Sequence, residues 1–243
     1  MTSHDGDDWT VRASPTYIHH VIKSVQFLDG YPTGLPGIGT RVIGFCDRVN
    51  ILFGPNGSGK TTILRTLAAA SGCGTGGWSE QQASVELPYT ATVEQDDMPV
   101  FYQDCYGDSG TSFIASDYLD SHAYLRSTGE VRIGLVNELI DSIEERFPTF
   151  RMRNSHRPTL ILDEVDNHVG LAAQSILWGD LVGKLSKKYQ LIISTHSIFP
   201  VLLKRDNDRR RDTLIELAPE YVSICTTELR NAIRYFNEHQ DEG

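Results

Sequence analysis

The sequence has little of what would place it in several large protein classes. It has four cysteines, Cys46, Cys73, Cys105 and Cys225, and no C-x-x-C pair among them. That spacing argues against a zinc site or a disulfide scaffold and points to a reducing compartment. Positive charge is also scarce: 22 Lys and Arg against 32 Asp and Glu leave a formal net charge of -10. Such a surface repels nucleic acid and acidic membranes as a whole, so contact with either would rest on local basic patches. No apolar stretch approaches the roughly 18 residues of a membrane span. The N-terminal MTSHDGDDWT lacks the charged-then-apolar order of a signal peptide. There are no internal repeats, low-complexity tracts or sustained heptads. Together these absences predict a cytoplasmic protein that makes no membrane contact.

What remains is a chain of 243 residues, 40% hydrophobic, enough to bury the core of one large domain or of one domain with a small inserted lobe. Strand and helix patterns alternate along it. YIHHVIKSVQFL (17–28) and RVIGFCDRVNILF (41–53) read as strands joined by a Gly/Pro-rich turn, and TTILRTLAAA (61–70) reads as a helix. SVELPYTATV and MPVFYQ read as further strands, and SFIASDYLDSHAYL as helical. In residues 129–147, Val131, Leu135, Leu139 and Ile143 recur every fourth position, which predicts a long amphipathic helix. Strand TLILDE, helix GLAAQSILWGDLVGKLSKK and strand QLIIST follow. The alternation implies an α/β fold with a mostly parallel sheet covered by helices.

The most specific motif is GPNGSGKT, Gly54, Pro55, Asn56, Gly57, Ser58, Gly59, Lys60 and Thr61, with Thr62 following. It fits the phosphate-loop pattern and lies between an apolar strand and a helix, as that mechanism requires. Its glycines let backbone N–H groups wrap around phosphate oxygens, and the helix turns its positive end towards them. Lys60 is expected at the β- and γ-phosphates and Thr61 at Mg²⁺. In TLILDEVD, an apolar strand carries Asp163 and Glu164 to its carboxyl end, where parallel sheets bind ligands. Asp163 is the expected ligand of the Mg²⁺ shell and Glu164 the general base for an attacking water. LIISTHS brings His196 to the end of another such strand, as a candidate γ-phosphate sensor. Gln103, ending MPVFYQ, is a candidate for the metal or the water.

Residues 126–130, RSTGE, begin the long predicted helix, with Ser127 or Thr128 as its N-cap and Glu130 in the first turn. A helix N-terminus with a Ser hydroxyl and the N–H of Gly129 is also an anion site. The chain already has one phosphate loop, so a second anion site suggests a second phosphate donor. The order phosphate loop, Gln, Ser-x-Gly-Glu, Asp-Glu, His resembles that of the ABC-type ATPases over roughly residues 17–217. The resemblance implies a P-loop NTPase fold with an N-terminal antiparallel β subdomain and an abbreviated helical lobe at 104–147, followed by a C-terminal extension at 218–243. It also implies that Ser127, Thr128, Gly129 and Glu130 form a signature contacting ATP held by a second copy, in a head-to-tail dimer. On the same resemblance Gln103 is the Q-loop residue, Asp166 belongs to the D-loop and His196 is the switch histidine.

The forms STGE, DEVDNHV and STHSIFPV look more like the soluble branch of RecF-type repair proteins, chromosome-maintenance ATPases and OLD-type defence ATPases than like transport subunits. That implies a bare ATPase head working with an effector such as a nuclease or toxin, in nucleic-acid processing, DNA repair or anti-phage defence. A transporter subunit and a non-hydrolysing ATP-binding regulator remain alternatives. Support for nucleic acid from the residues themselves is limited to basic patches. RFPTFRMRNSHR carries Arg146, Arg151, Arg153 and Arg157, and KRDNDRRR mixes five basic residues with two Asp.

Overall fold

The structure is a computed structural model and describes residues 19–20, 22–73, 77–78, 86–96, 99–103, 141, 156–167, 169–205 and 212–239. The predicted helical lobe and the signature residues 127–130 lie outside them, apart from Asp141, which is helical. In chain order the elements are β1 (His19–His20), β2 (Ile22–Asp29), β3 (Val42–Gly44), β4 (Val49–Phe53), α1 (Lys60–Ala70), β5 (Gly77–Trp78), β6 (Thr90–Gln95) and β7 (Val100–Gln103). Then come β8 (His156–Arg157), β9 (Thr159–Asp163), α2 (Leu171–Ile176), a π-helical turn (Leu177–Leu181), α3 (Val182–Leu185), β10 (Gln190–Thr195), α4 (Phe199–Arg205), β11 (Thr213–Glu216) and α5 (Tyr221–Glu238). A short 3-10 turn, Tyr31–Gly34, follows β2.

The central sheet runs β11-β4-β10-β9-β7-β5, with every pairing parallel except the last. Its strands are buried on both faces, which is why they read as unbroken apolar runs. Successive side chains divide between two cores. Leu52, Ile161 and Ile192 pack with α1 residues Ile63, Leu64 and Leu67 on one face. Ile51, Leu160, Leu162, Leu191 and Ile193 pack with Trp178, Val182 and Leu185 on the other. A separate antiparallel sheet, β3-β2-β6, covers the α1 side through Ile22, Val25 and Phe27. The fold is thus the expected α/β arrangement of a parallel sheet with an antiparallel β subdomain.

The single strand predicted over 41–53 is in fact two strands in two different sheets. Asn50 causes the break. Its side chain accepts a hydrogen bond from Cys46 N (2.7 Å) and donates to Cys46 O (3.0 Å), folding the chain back on itself, and it also donates to Leu191 O (3.1 Å). Gln190 fastens the two sheets together. Its amide donates to Ile22 O (2.7 Å) and Cys46 O (2.8 Å), and its oxygen accepts from Ile22 N (3.0 Å) and the Thr159 hydroxyl (2.6 Å). The helix predicted over 170–188 holds a π turn at its centre, and α5 was not foreseen. Among the described residues no helix is long and apolar enough to cross a membrane.

Both Asn50 and Gln190 are fully buried, and the Ile22 and Thr159 groups that Gln190 bonds are buried with it. Gln190→Leu is therefore expected to cost at least about 3 kcal/mol in urea unfolding. Breaking the exposed Lys23–Glu94 pair, 3.1 Å apart, by Lys23→Ala should cost less than about 1 kcal/mol.

Candidate functional site

The sheet order decides the site. β10 lies between β4 and β9, so the chain segments leaving these three strands emerge side by side, and β7 adds a fourth on the far side of β9. Lys60 follows β4, His196 follows β10, and Asp163 and Glu164 end β9. Gln103 ends β7, with Leu162 as its neighbour across the pairing, and is buried. The side chains of Lys60, His196, Glu164 and Asp163 gather at the carboxyl edge, and Gln103 ends its strand at the same edge.

The loop from β4 to α1 turns back through a hydrogen bond from Ser58 N to Pro55 O (3.2 Å). Gly59 caps α1 in the left-handed region, at φ +96°, where a Cβ would lie 2.4 Å from Ile38 Cδ1. The conformation is one that strains any residue with a Cβ, and the methyl ends of Ile38 and Leu35 would have to shift to admit one. No side chain caps α1 and none of its own first-turn residues is acidic; the carboxylates that reach this end, Asp163 at Thr61 and Glu164 3.9 Å from Lys60, come from the end of β9. The Ser58 hydroxyl in the loop is buried with no hydrogen-bond partner.

Lys60, only 4% exposed, donates to Gly54 O (2.9 Å), Pro55 O (3.1 Å) and His196 Nδ1 (3.3 Å). These three bonds use every donor of the ammonium. On the other side of the ring, His196 Nε2 is 2.6 Å from Glu164 Oε1. An ammonium can only donate and a carboxylate can only accept, so this arrangement requires a neutral imidazole with its proton on Nε2. The line Lys60–His196–Glu164 repeats the lateral order β4-β10-β9. Burial lowers the pKa of Lys60, and the carboxylates of Glu164, Asp163 and Asp166 draw it back up.

Asp163 Oδ1 accepts from the Ser194 hydroxyl (2.5 Å) and from Thr61 Oγ1 (3.3 Å). Its other oxygen, Oδ2, is buried with no hydrogen-bond partner. A buried carboxylate oxygen without a donor, beside the hydroxyl of Thr61 and near Gln103, is a sparse set of hard oxygen donors. It fits a Mg²⁺ ion that keeps waters and phosphate as its remaining ligands. Burial raises the Asp163 pKa, and the bonds from Ser194 and Thr61 offset part of that. Glu164 has left-handed backbone, φ 49°. It is held there by hydrogen bonds from its N–H to Ser194 Oγ (2.9 Å) and Ser194 O (3.2 Å).

Asp166, which the resemblance assigns to the D-loop, lies beside these residues, and several neighbours of the site escaped the sequence reading. Asp166 is buried, with its pKa raised by that burial. It accepts from the Thr195 hydroxyl (2.5 Å) and from the Trp178 indole (3.3 Å), which the π turn turns inward. Ser197 Oγ donates to Gln174 (2.6 Å), linking α2 to the histidine loop. Tyr31, an exposed ring edge-on to Tyr89, places its hydroxyl 2.9 Å from that of Thr62. Hydroxyls and aromatics of this kind carry no motif. Only the packing of β10 on β9, and of the 3-10 turn on α1, brings them in. Of the basic patches, Arg157 donates to Ser186 O (2.8 Å), while Arg146, Arg151 and Arg153 lie outside the described residues.

The raised Asp163 pKa carries a sign that can be checked. A folded-state pKa above the unfolded value contributes stability at low pH, and that stability is lost as the pH rises through the folded value. Asp163→Asn should therefore unfold at a higher temperature than the parent at neutral pH, by roughly 2–4 °C for about 1 kcal/mol. The gap should close on acidification, and Mg²⁺-dependent ligand binding should be lost. Scanning calorimetry at two pH values checks this.

Comparison with solved structures finds distant likenesses. The chain is similar to an inward-facing ABC transporter of metal-chelate type, with 16% identity over 74% of this chain and 75% of that one and a TM-score of 0.46. It is similar to cbiO1 from Clostridium perfringens, part of the ABC transporter complex cbiONQ, with 15% identity over 76% and 82% and a TM-score of 0.46. A nucleotide-free ATP-binding cassette from an ABC transporter matches with 12% identity over 75% and 84% and a TM-score of 0.40. No protein-family model matches the chain, and no curated protein does.

Proposed function

We propose that this chain is an ABC-type ATPase head that binds ATP and Mg²⁺, closes as a head-to-tail dimer and hydrolyses the nucleotide. The observation that carries the reading is the line Lys60–His196–Glu164 beside Asp163, its two ends buried and its imidazole open to solvent, at the mouth of the loop that leads into α1. Nothing in that cluster serves the fold better than apolar residues would, since buried charge is costly unless it has a task.

Phosphate oxygens compete for the N–H groups that Lys60 now gives to Gly54 and Pro55, while Thr62 and the backbone from Asn56 to Thr61 bind the rest of the anion. Thr61, Asp163 and Gln103 would hold Mg²⁺, which supplies charge neutralisation on the phosphate oxygens when bound. Glu164 takes the proton of the attacking water, and His196 holds the Glu164 carboxylate through its Nε2–H. Ser127, Thr128, Gly129 and Glu130 of a second copy clamp the γ-phosphate, as the resemblance in motif order implies. The exposed Tyr31 ring at Thr62 offers a face for the adenine base.

The motif forms support the RecF-like, chromosome-maintenance and OLD-like branch, with a nuclease or toxin as effector in nucleic-acid processing, DNA repair or anti-phage defence. Four cysteines far apart with no C-x-x-C pair support a reducing, cytoplasmic site of action.

Lys60→Ala should abolish ATP binding in calorimetry. Glu164→Gln should keep binding while lowering kcat by about 10²–10⁴-fold, and should accumulate as an ATP-bound dimer in light scattering. An obligate monomer under those conditions contradicts the dimer.

A further inference from the structure

The two acidic residues that end β9 do not hold themselves in place. Ser194 is the direct cross-strand neighbour of Asp163 in the β10–β9 pairing, and it is fully buried. A serine hydroxyl has one proton to give and lone pairs to receive with. Here the proton goes to Asp163 Oδ1 at 2.5 Å, and the oxygen receives the N–H of Glu164 at 2.9 Å. One hydroxyl on a neighbouring strand therefore contacts both carboxylate residues, sharing the Glu164 N–H with its own residue's carbonyl oxygen (3.2 Å).

Each bond has a distinct consequence. Among the described residues the Asp163 carboxylate accepts one other hydrogen bond, the 3.3 Å contact from Thr61, and Thr61 is itself expected to turn to the ion. Without the Ser194 hydroxyl only the 3.3 Å bond from Thr61 is left to hold the carboxylate and to select Oδ2 as the oxygen without a partner. At Glu164 the φ of 49° is a left-handed conformation that is strained for a non-glycine residue. It persists because the N–H is fastened to β10, and this aims the Glu164 side chain at His196. No water can stand in for the hydroxyl at a position with no solvent access.

Building on the ATPase reading above, we propose that Ser194 is a positioning residue for the reaction: it orients Asp163 for Mg²⁺ and, through the same oxygen, orients Glu164 for water. It touches neither nucleotide nor ion. This role is separable from a merely structural one, because it should alter what depends on the metal and leave untouched what depends on the phosphate loop alone.

The test compares Ser194→Ala, Ser194→Thr and Glu164→Gln with the parent chain, using a fluorescent ATP analogue titrated in Mg²⁺ and in EDTA, and steady-state phosphate release. Ser194→Ala should lose about 10-fold or more of the Mg²⁺-dependent gain in affinity, with EDTA affinity within about twofold of the parent, and kcat should fall about 10–100-fold. Ser194→Thr, which keeps the hydroxyl, should restore both to within about threefold. If Ser194→Ala fails to fold, Ser194→Cys, of similar size but a poor hydrogen-bonding group, takes its place. A Ser194→Ala chain with the parent's Mg²⁺ gain and kcat, beside an inactive Glu164→Gln, overturns the positioning role and leaves the ATPase reading standing. Equal losses of affinity in Mg²⁺ and in EDTA overturn it too, since they mark a general structural defect. If the parent chain binds no analogue in either buffer, the ATPase reading itself has failed.

Discussion

The molecule is organised around one constraint: four ionisable side chains, Lys60, Asp163, Glu164 and Asp166, each under 9% exposed, are buried at one edge of one sheet. Buried charge is tolerated only where geometry supplies partners. The partners here are backbone carbonyls of the loop for Lys60, serine and threonine hydroxyls of β10 for the two aspartates, and an imidazole for Glu164. β10, with the histidine that directly follows it, contributes to three of these four arrangements. Placing that strand between β4 and β9 is what lets one buried cation and three buried acids share a small volume without leaving the charges unanswered.

The rest of the fold holds that edge in register. Parallel pairing of β10 with both neighbours fixes Ser194 opposite Asp163 and Thr195 opposite Phe53. Packing on both faces, with α1 on one side and the α2–α3 segment on the other, prevents the strands from sliding. The buried amides of Asn50 and Gln190 then tie the antiparallel sheet to the same frame. That sheet leads into the 3-10 turn carrying Tyr31 and into Leu35 and Ile38, whose side chains crowd Gly59. A line of direct contacts thus joins the outer sheet to the phosphate loop.

Much of this was legible because the decisive features are local in sequence. A glycine-rich loop between an apolar strand and a helix, and carboxylates ending a second apolar strand, are short patterns with one physical meaning. Gln103 and His196 were readable for the same reason, as strand ends that a parallel sheet gathers at one edge. The break at residues 45–48 was not readable, because an Asn in an apolar run reveals nothing about which carbonyl it will bind. Nor was the π turn that brings Trp178 to Asp166, since helical spacing is nearly the same on either side of it. Ser194 looked like one more small residue in a strand, and its importance lies entirely in the pairing register. The lobe bearing residues 127–130 rests on motif order alone.

The central claim is that the Lys60–His196–Glu164 line is a phosphate site finished by a second copy of the chain. The most direct measurement is a structure determined with a non-hydrolysable ATP analogue and Mg²⁺. The account predicts the γ-phosphate between Lys60 and His196, with residues 127–130 of another copy against it. An analogue seated in the loop while those residues lie far from it in every copy would contradict the claim.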